Sequence, residues 1–161
     1  DLGASSTKFV VIQNGIPIFT KESGLGGRQL TSEIQKQLRV SFQDAESLKV
    51  SGPGAGLPQE VSDLMGQMTQ AISEEAKRSV ELYNSSALGG DVQNIVLTGG
   101  STKLPELSAF IEEATRLPTQ ILNPFSAIEA DSKKFSADYL QQIAPFAASA
   151  IGLALRGGAG P

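Results

Sequence analysis

The stretch Ile95-Val96-Leu97-Thr98-Gly99-Gly100-Ser101-Thr102 runs four apolar or β-branched residues straight into two glycines and a hydroxyl pair. Its first half predicts a strand buried on both faces, and a helix is expected from near Leu104. Gly99 and Gly100 remove two Cβ atoms where the strand ends. A flat ligand can then lie against bare backbone, with the N–H groups of the next helix pointing toward it. A lone glycine pair is a weak signal, because the same residues also make an ordinary strand-to-helix turn. The odds shift with a second glycine-containing loop at the start of the chain, Asp1-Leu2-Gly3-Ala4-Ser5-Ser6-Thr7.

C-terminal to the opening stretch, Leu104, Leu107, Phe110/Ile111, Ala114 and Leu117 mark a helix, with Pro105 in the first turn that tolerates it. A short strand is expected over 119–122, ending at Asn123-Pro124-Phe125, and 128–137 reads as irregular. A last helix is expected over 145–156, burying Phe146, Ala150, Ile151, Ala154 and Leu155. N-terminal to the stretch, apolar residues recur every three or four positions from Pro58 to Tyr83, predicting one long helix with Met65 and Met68 in the core. Glu74/Arg78 and Lys77/Glu81 are spaced as i, i+4 pairs on its solvated side. Ser51–Gly56 and Ser85–Asp91 read as loops.

Nearer the start, Asn14-Gly15 stands between the β-rich runs 8–13 and 16–20, a strong hairpin signal because a type I′ turn needs positive φ at both central residues. Pro17 predicts that the second arm lies at an edge or lacks one ladder bond. Ser23-Gly24-Leu25-Gly26-Gly27 is a further glycine-rich loop before an amphipathic helix over 28–39, with Leu30, Ile34 and Leu38 on one stripe. A short helix over 44–50 places Glu46 and Lys49 on one face. Strands first, then strands alternating with helices, predict an α/β layered domain.

At 161 residues the chain is about one domain, with 40% hydrophobic and 19% charged residues. A net charge of −4 without Lys/Arg clusters argues against nucleic acid as the main partner. Because the chain has no Cys and no His, a thiol nucleophile, a Ser-His-Asp triad and nearly all zinc sites are excluded. No apolar run approaches 18 residues, so direct membrane insertion is not expected. The opening at Asp1 looks like a strand end whose apolar beginning is missing. A longer polypeptide is therefore expected.

Asp1 before Gly3, Ala4, Ser5 and Thr7 can hold Mg²⁺ through its carboxylate while the turn's N–H groups face phosphate oxygens. Gly99, Gly100 and Ser101 suit a purine, and Glu46 and Lys49 can reach ribose hydroxyls and a base edge. Gly26 and Gly27 are expected to line the same site. This order of motifs resembles the second half of the actin-like ATPase superfamily, which includes actin, MreB, FtsA, heat-shock chaperone ATPase domains and sugar kinases. Asp1–Thr7 is similar to its second phosphate loop and Gly99–Ser101 to its adenosine loop. Ala45-Glu46-Ser47-Leu48-Lys49-Val50-Ser51-Gly52 resembles the Ala-Glu-x-x-Lys-x-x-x-Gly pattern of bacterial actins.

Within the superfamily the chain most resembles the PilM family of type IV pilus assembly. The resemblance rests on 14–21, on Gly26-Gly27-Arg28-Gln29-Leu30-Thr31, on 97–107, on Asn123-Pro124-Phe125 and on Gly152-Leu153-Ala154-Leu155-Arg156. It implies the second lobe of an actin-like (ribonuclease H-like) fold over 1–156, a mixed sheet that starts as an antiparallel hairpin and carries flanking helices. An inserted helical and loop subdomain is expected around 28–90 and a flexible tail over 157–161, with the N-terminal lobe absent. ATP or ADP with Mg²⁺ is the implied cofactor, with Asp1 orienting metal or water. The implied role is a cytoplasmic adaptor, peripheral at the inner membrane through the cytoplasmic tail of a PilN-like protein, with at most weak ATPase activity. The alternatives are a filament-forming bacterial actin or cell-division protein of the FtsA or MreB kind, and a lobe of a sugar kinase. The lack of a C-terminal basic amphipathic helix counts against FtsA.

Overall fold

A computed structural model describes residues 1–52, 54, 56–86, 89–131 and 133–158. The chain opens with a hairpin of β1 (Thr7–Gln13) and β2 (Ile16–Ser23). Asn14 and Gly15 take φ of 52° and 78°, the positive pair that a type I′ turn requires. The ladder is antiparallel, with a register shift between Val11 and Ile12 that sets Ile12 opposite Pro17. An irregularity there is what a residue without an N–H imposes.

Three helices follow: α1 (Gly27–Leu38), α2 (Phe42–Ser51) and α3 (Gln59–Ser85). Ser41 caps α2, its hydroxyl accepting from the Asp44 N–H at 3.1 Å. In α3 the spaced positions Val61, Met65, Met68, Ile72, Ala76 and Tyr83 are all buried. All of these but Tyr83 form one core with Leu2, Leu30, Ile34, Leu97, Leu104, Leu107 and Ile111. Each fully buried large aliphatic side chain contributes roughly 1.5–3 kcal/mol. The expected pairs on the outer face of α3 do not form among the described residues. Arg78 instead pairs with Glu75 three positions back, and Gln70 donates to Glu74.

After α3 come β3 (Ile95–Leu97), a 3-10 turn (Gly100–Lys103), α4 (Leu107–Thr115), β4 (Thr119–Ile121), a second 3-10 turn (Pro124–Ala127) and α5 (Ala137–Gly158). β3 and β4 pair in parallel. The helix expected from Leu104 is thus split: Pro105 precedes α4 instead of sitting in its first turn, and Glu106 takes a left-handed φ of 55° at the break. Burial of the strand on both faces also fails, since Val96 is 44% exposed and only one side of the pair is covered.

The described residues form two separate two-stranded sheets where one mixed sheet was expected. Residues 1 and 2 stitch them together. The Asp1 carbonyl accepts from Lys8 N–H on the hairpin side, while the Leu2 N–H donates to Thr98 O at 2.7 Å and the Leu2 carbonyl accepts from Ser101. With only an isolated bridge from Leu2 to Thr7, the join is too short to count as a strand.

α5 departs most from expectation. It starts at Ala137, where Ser136 accepts from Tyr139 N–H and Asp138 sits in the first turn, so Pro145 lies inside the helix. It packs chiefly on the two 3-10 turns. Ala144 and Pro145 are buried and Ile151 is half-buried, but Phe146, Ala150, Ala154 and Leu155 are exposed, because no described element covers the helix beyond those turns. The helix also takes in Gly157 and Gly158, which were expected to belong to the tail; 159–161 lie outside the described residues. In the loop expected at 51–56, Ser51 still belongs to α2, and Pro53 and Ala55 lie outside the described residues. The turn at 85–91 keeps Gly90, whose carbonyl accepts from Tyr83, while Ala87 and Leu88 lie outside the described residues.

Candidate functional site

A cavity of about 400 Å³ opens where the first loop, the start of α1, the face of α2, the Gly99–Gly100 turn and α5 meet. Asp1, Gly3, Ala4, Gly27, Glu46, Lys49, Gly99, Gly100 and Ser101 all line it. Residues 98 positions apart thus share one wall. The volume is within the range of small-molecule sites.

The loop and the helix behind it are locked together. Gly27 N–H donates to Gly3 O at 3.1 Å and Arg28 N–H to Ala4 O at 2.8 Å, so the first donors of α1 are spent on the loop. A Cβ on Gly26 would fall 2.6 Å from Ala4 O and from the Ser5 carbonyl carbon, so only glycine lets the helix come this close. Gly26 therefore supports the site without lining it. The Thr7 hydroxyl is buried and donates to Leu25 O at 2.8 Å, tying the loop to the α1 approach, so it too stands outside the cavity. Ser5 is exposed on the far side of the turn and does not line the cavity. The N–H group of Ala4, which lines the cavity, donates to no acceptor among the described residues and is open to an anion.

On the other side, Gly99 takes φ 96° and ψ 162°, a combination essentially restricted to glycine. A Cβ there would meet Leu2 O at 2.5 Å and Asp1 Oδ1 at 2.6 Å. The Gly99 N–H donates to Pro145 O at 2.8 Å, and the Thr98 hydroxyl reaches the same carbonyl at 3.3 Å. Pro145 thus anchors α5 to the glycine turn.

Lys49 extends from α2 to α1, where its ammonium donates to Glu46 Oε2 at 2.7 Å, Thr31 Oγ1 at 2.8 Å and Gly27 O at 3.2 Å. Its three protons are all used. The Thr31 hydroxyl, fully buried, has one proton and gives it to Glu46 Oε2 at 2.5 Å in preference to Gly27 O at 3.0 Å. Glu46 Oε1 accepts no hydrogen bond from the described residues, and the side chain is 41% exposed. Burial pushes the Glu46 carboxyl up, but hydrogen bonds from Lys49 and then Thr31, with the charges of Lys49 and Arg28, outweigh it and hold the pKa below its ordinary value. The network presents one unspent, ionised carboxylate oxygen.

Asp1 is the one acidic side chain on the loop side of the cavity, and no cluster of three or more metal-ligating side chains exists among the described residues. Mg²⁺ bound with phosphates needs only one or two protein carboxylates and keeps several waters, so a single Asp beside open N–H groups fits a metal–phosphate ligand. The apolar wall of Leu30, Met65, Pro105 and Phe146 was not anticipated, nor was the place of Thr31 in the Lys49–Glu46 network. Thr31 stands one helical turn beyond Gly27, a spacing that signals only a shared face. Phe146 was expected in the core.

The family described as "Type IV pilus assembly protein PilM" matches residues 1–158. The chain belongs to that family. A solved PilM–PilN type IV pilus biogenesis complex contains a chain similar over 98% of the present one, with 27% identity and a TM-score of 0.83, of which the present chain covers 44%. The ethanolamine utilization protein EutJ from Carboxydothermus hydrogenoformans shares the fold, with a TM-score of 0.58 and 18% identity over 75% of this chain and 41% of its own. The cell division protein FtsA of Borreliella burgdorferi is 25% identical over 150 residues, covering 78% of this chain and 36% of FtsA. The fold is that of the actin-like ATPases. This PilM-family chain spans less than half the length of these relatives. No helix among the described residues is long and apolar enough to cross a membrane.

Proposed function

We propose that this PilM-family chain supplies the second phosphate loop and the adenosine loop of an ATP site, and that it works as a nucleotide-regulated adaptor in type IV pilus assembly. The observation that carries this reading is the convergence of Asp1, Gly3, Ala4, Gly27, Glu46, Lys49 and Gly99–Ser101 on one cavity. The Ala4 N–H donates to a phosphate oxygen, and Glu46 Oε1 accepts from a ribose hydroxyl. Asp1 orients the hydrated cation. Bound Mg²⁺ supplies charge neutralisation between phosphate oxygens. Lys49 holds Glu46 in place.

A turnover enzyme needs a positioned nucleophile and in-line geometry, and this cavity offers one wall of such an arrangement. Binding that alters docking is therefore preferred over catalysis. The similarity to the chain in a PilM–PilN complex supports a PilN-like protein as the partner, and on this reading the adaptor works on the cytoplasmic side of the inner membrane through that partner's tail.

Calorimetric titration of Mg·ATP into the 161-residue chain and into the longest natural polypeptide containing it tests the nucleotide reading. Expected are tighter binding by the longer form and loss of at least about tenfold in its Asp1→Ala and Gly100→Trp variants. Absence of binding in both forms, or unchanged affinity in both variants, sinks the reading.

A further inference from the structure

Resting on that nucleotide reading, we infer that Phe146 is the stacking wall against which the ligand's base lies. Three observations converge on this side chain. It lines the cavity, yet it is 59% exposed, an unusual setting for a Phe whose backbone is anchored in the interior. Its ring rests directly on the Gly100 backbone: a Cβ at Gly100 would fall 2.7 Å from Cε1 and 3.5 Å from both Cδ1 and Cζ. The ring edge therefore points at the glycine, which leaves one face for a cation and the other for a further partner. Lys103 Nζ stands over the ring, 5.0 Å from its centroid.

The backbone that carries the ring is held by its neighbour in sequence. Pro145 is buried, its φ is locked by its own ring, and its carbonyl accepts from both Gly99 N–H and the Thr98 hydroxyl. The backbone at Phe146 cannot drift from the glycine turn without breaking those bonds. An aromatic face fixed beside bare backbone, with a cation over it, matches the electronics of a flat heteroaromatic ring. Such stacking is tolerant of which base is presented. Gly100 is needed on this account to admit Phe146, not to receive the base itself.

The test is calorimetry on the longest natural polypeptide with two probes, Mg·ATP and Mg·ribose 5-triphosphate, which lacks the base. Phe146→Ala is expected to weaken ATP about tenfold or more and to leave ribose triphosphate within about twofold. Phe146→Tyr, which keeps the ring, is expected to bind both as the parent does and guards against a folding defect in the alanine variant. Tighter ATP binding by Phe146→Ala means that the ring merely covers the glycine turn and overturns the proposal. Unchanged ATP binding, or an equal loss for both probes, overturns it as well. If the parent binds no ATP, the nucleotide reading itself has failed, which is a different result from any of these.

Discussion

Two carboxylate–lysine clusters hold this molecule together, and they are built to different ends. In the first, Glu46, Lys49 and Thr31 join α2 to α1 beside the cavity. In the second, Lys21 on β2 donates to Glu75 on α3 at 2.7 Å and to Ser79 at 3.1 Å, and Arg78 donates to the other Glu75 oxygen. Glu75 is only 14% exposed and both its oxygens are engaged. Glu46 commits a single oxygen and leaves the other open. The cluster that pins a strand to a helix spends all its carboxylate acceptors, whereas the one beside the cavity keeps an acceptor in reserve.

The strongest way to break this distinction is to remove each lysine charge while keeping its stem. Lys49→Met leaves Glu46, Thr31 and Gly27 O without their shared donor. A loss of about 2 kcal/mol in stability is expected, together with at least about a tenfold loss of ATP affinity as Glu46 loses its fixed position. Lys21→Met should cost about 1–2 kcal/mol, and ATP affinity should stay within about twofold, since Glu75 retains Arg78 and faces no ligand. Chemical denaturation and calorimetry on the two variants decide it; equal ATP affinities erase the distinction.

A gentler perturbation keeps the shape and removes only the negative charge. Glu46→Gln should weaken ATP by a factor of about three to ten, because a neutral acceptor replaces a charged one toward the ribose hydroxyl. Glu75→Gln should leave ATP binding unchanged. If Glu75→Gln weakened ATP as much, the cavity would be responding to packing and not to the spare oxygen.

How much of this was open to a reader of the sequence depends on how far apart the partners are. Asn14-Gly15 dictates its own turn, and the buried stripe of α3 follows from spacing within one helix, so both were legible. The order of Asp1–Thr7, Glu46/Lys49 and Gly99–Ser101 identified the residues that meet at the cavity, because each motif is a local turn or helix face. The roles of Ser5, Thr7 and Gly26 were not legible, since whether a turn residue faces the cavity or braces it depends on the carbonyl it meets: Leu25 O for Thr7, Ala4 O for Gly26. Phe146 was misplaced for a similar reason. Helical periodicity marked it as core, but its exposure is set by Gly100, 46 positions away, and by the reach of α5 past the turns it packs on. The Lys21–Glu75 tie joins residues 54 apart, beyond the reach of spacing within one helix, and Arg78 turns to the same Glu75 and not to Glu74. A partly buried acceptor three positions back outbids an exposed one four positions back.

Acid titration sharpens the comparison with the smallest expected effect. For Glu75, the Lys21 hydrogen bond lowers the pKa, burial opposes it and Arg78 adds to the lowering; the net position is below the ordinary 4.5. For Glu46 burial is the largest influence and raises the pKa, but the bonds from Lys49 and Thr31 prevail and the net shift is again downward. A carboxyl whose folded pKa lies below its unfolded one binds protons more readily when unfolded. Each therefore contributes stability that is fully present above about pH 4.5 and is lost as pH falls through the folded pKa. Glutamine at position 75 cannot titrate, so the stability gap between the parent and Glu75→Gln should narrow steadily below pH 4.5. Glu46→Gln should show a smaller narrowing, because solvent reaches this more exposed carboxylate and screens its partners. Urea midpoints at successive pH values would measure both. A steeper effect at Glu46 than at Glu75 would mean that the spare oxygen is already committed to a protein group, and the contrast between the clusters would fall.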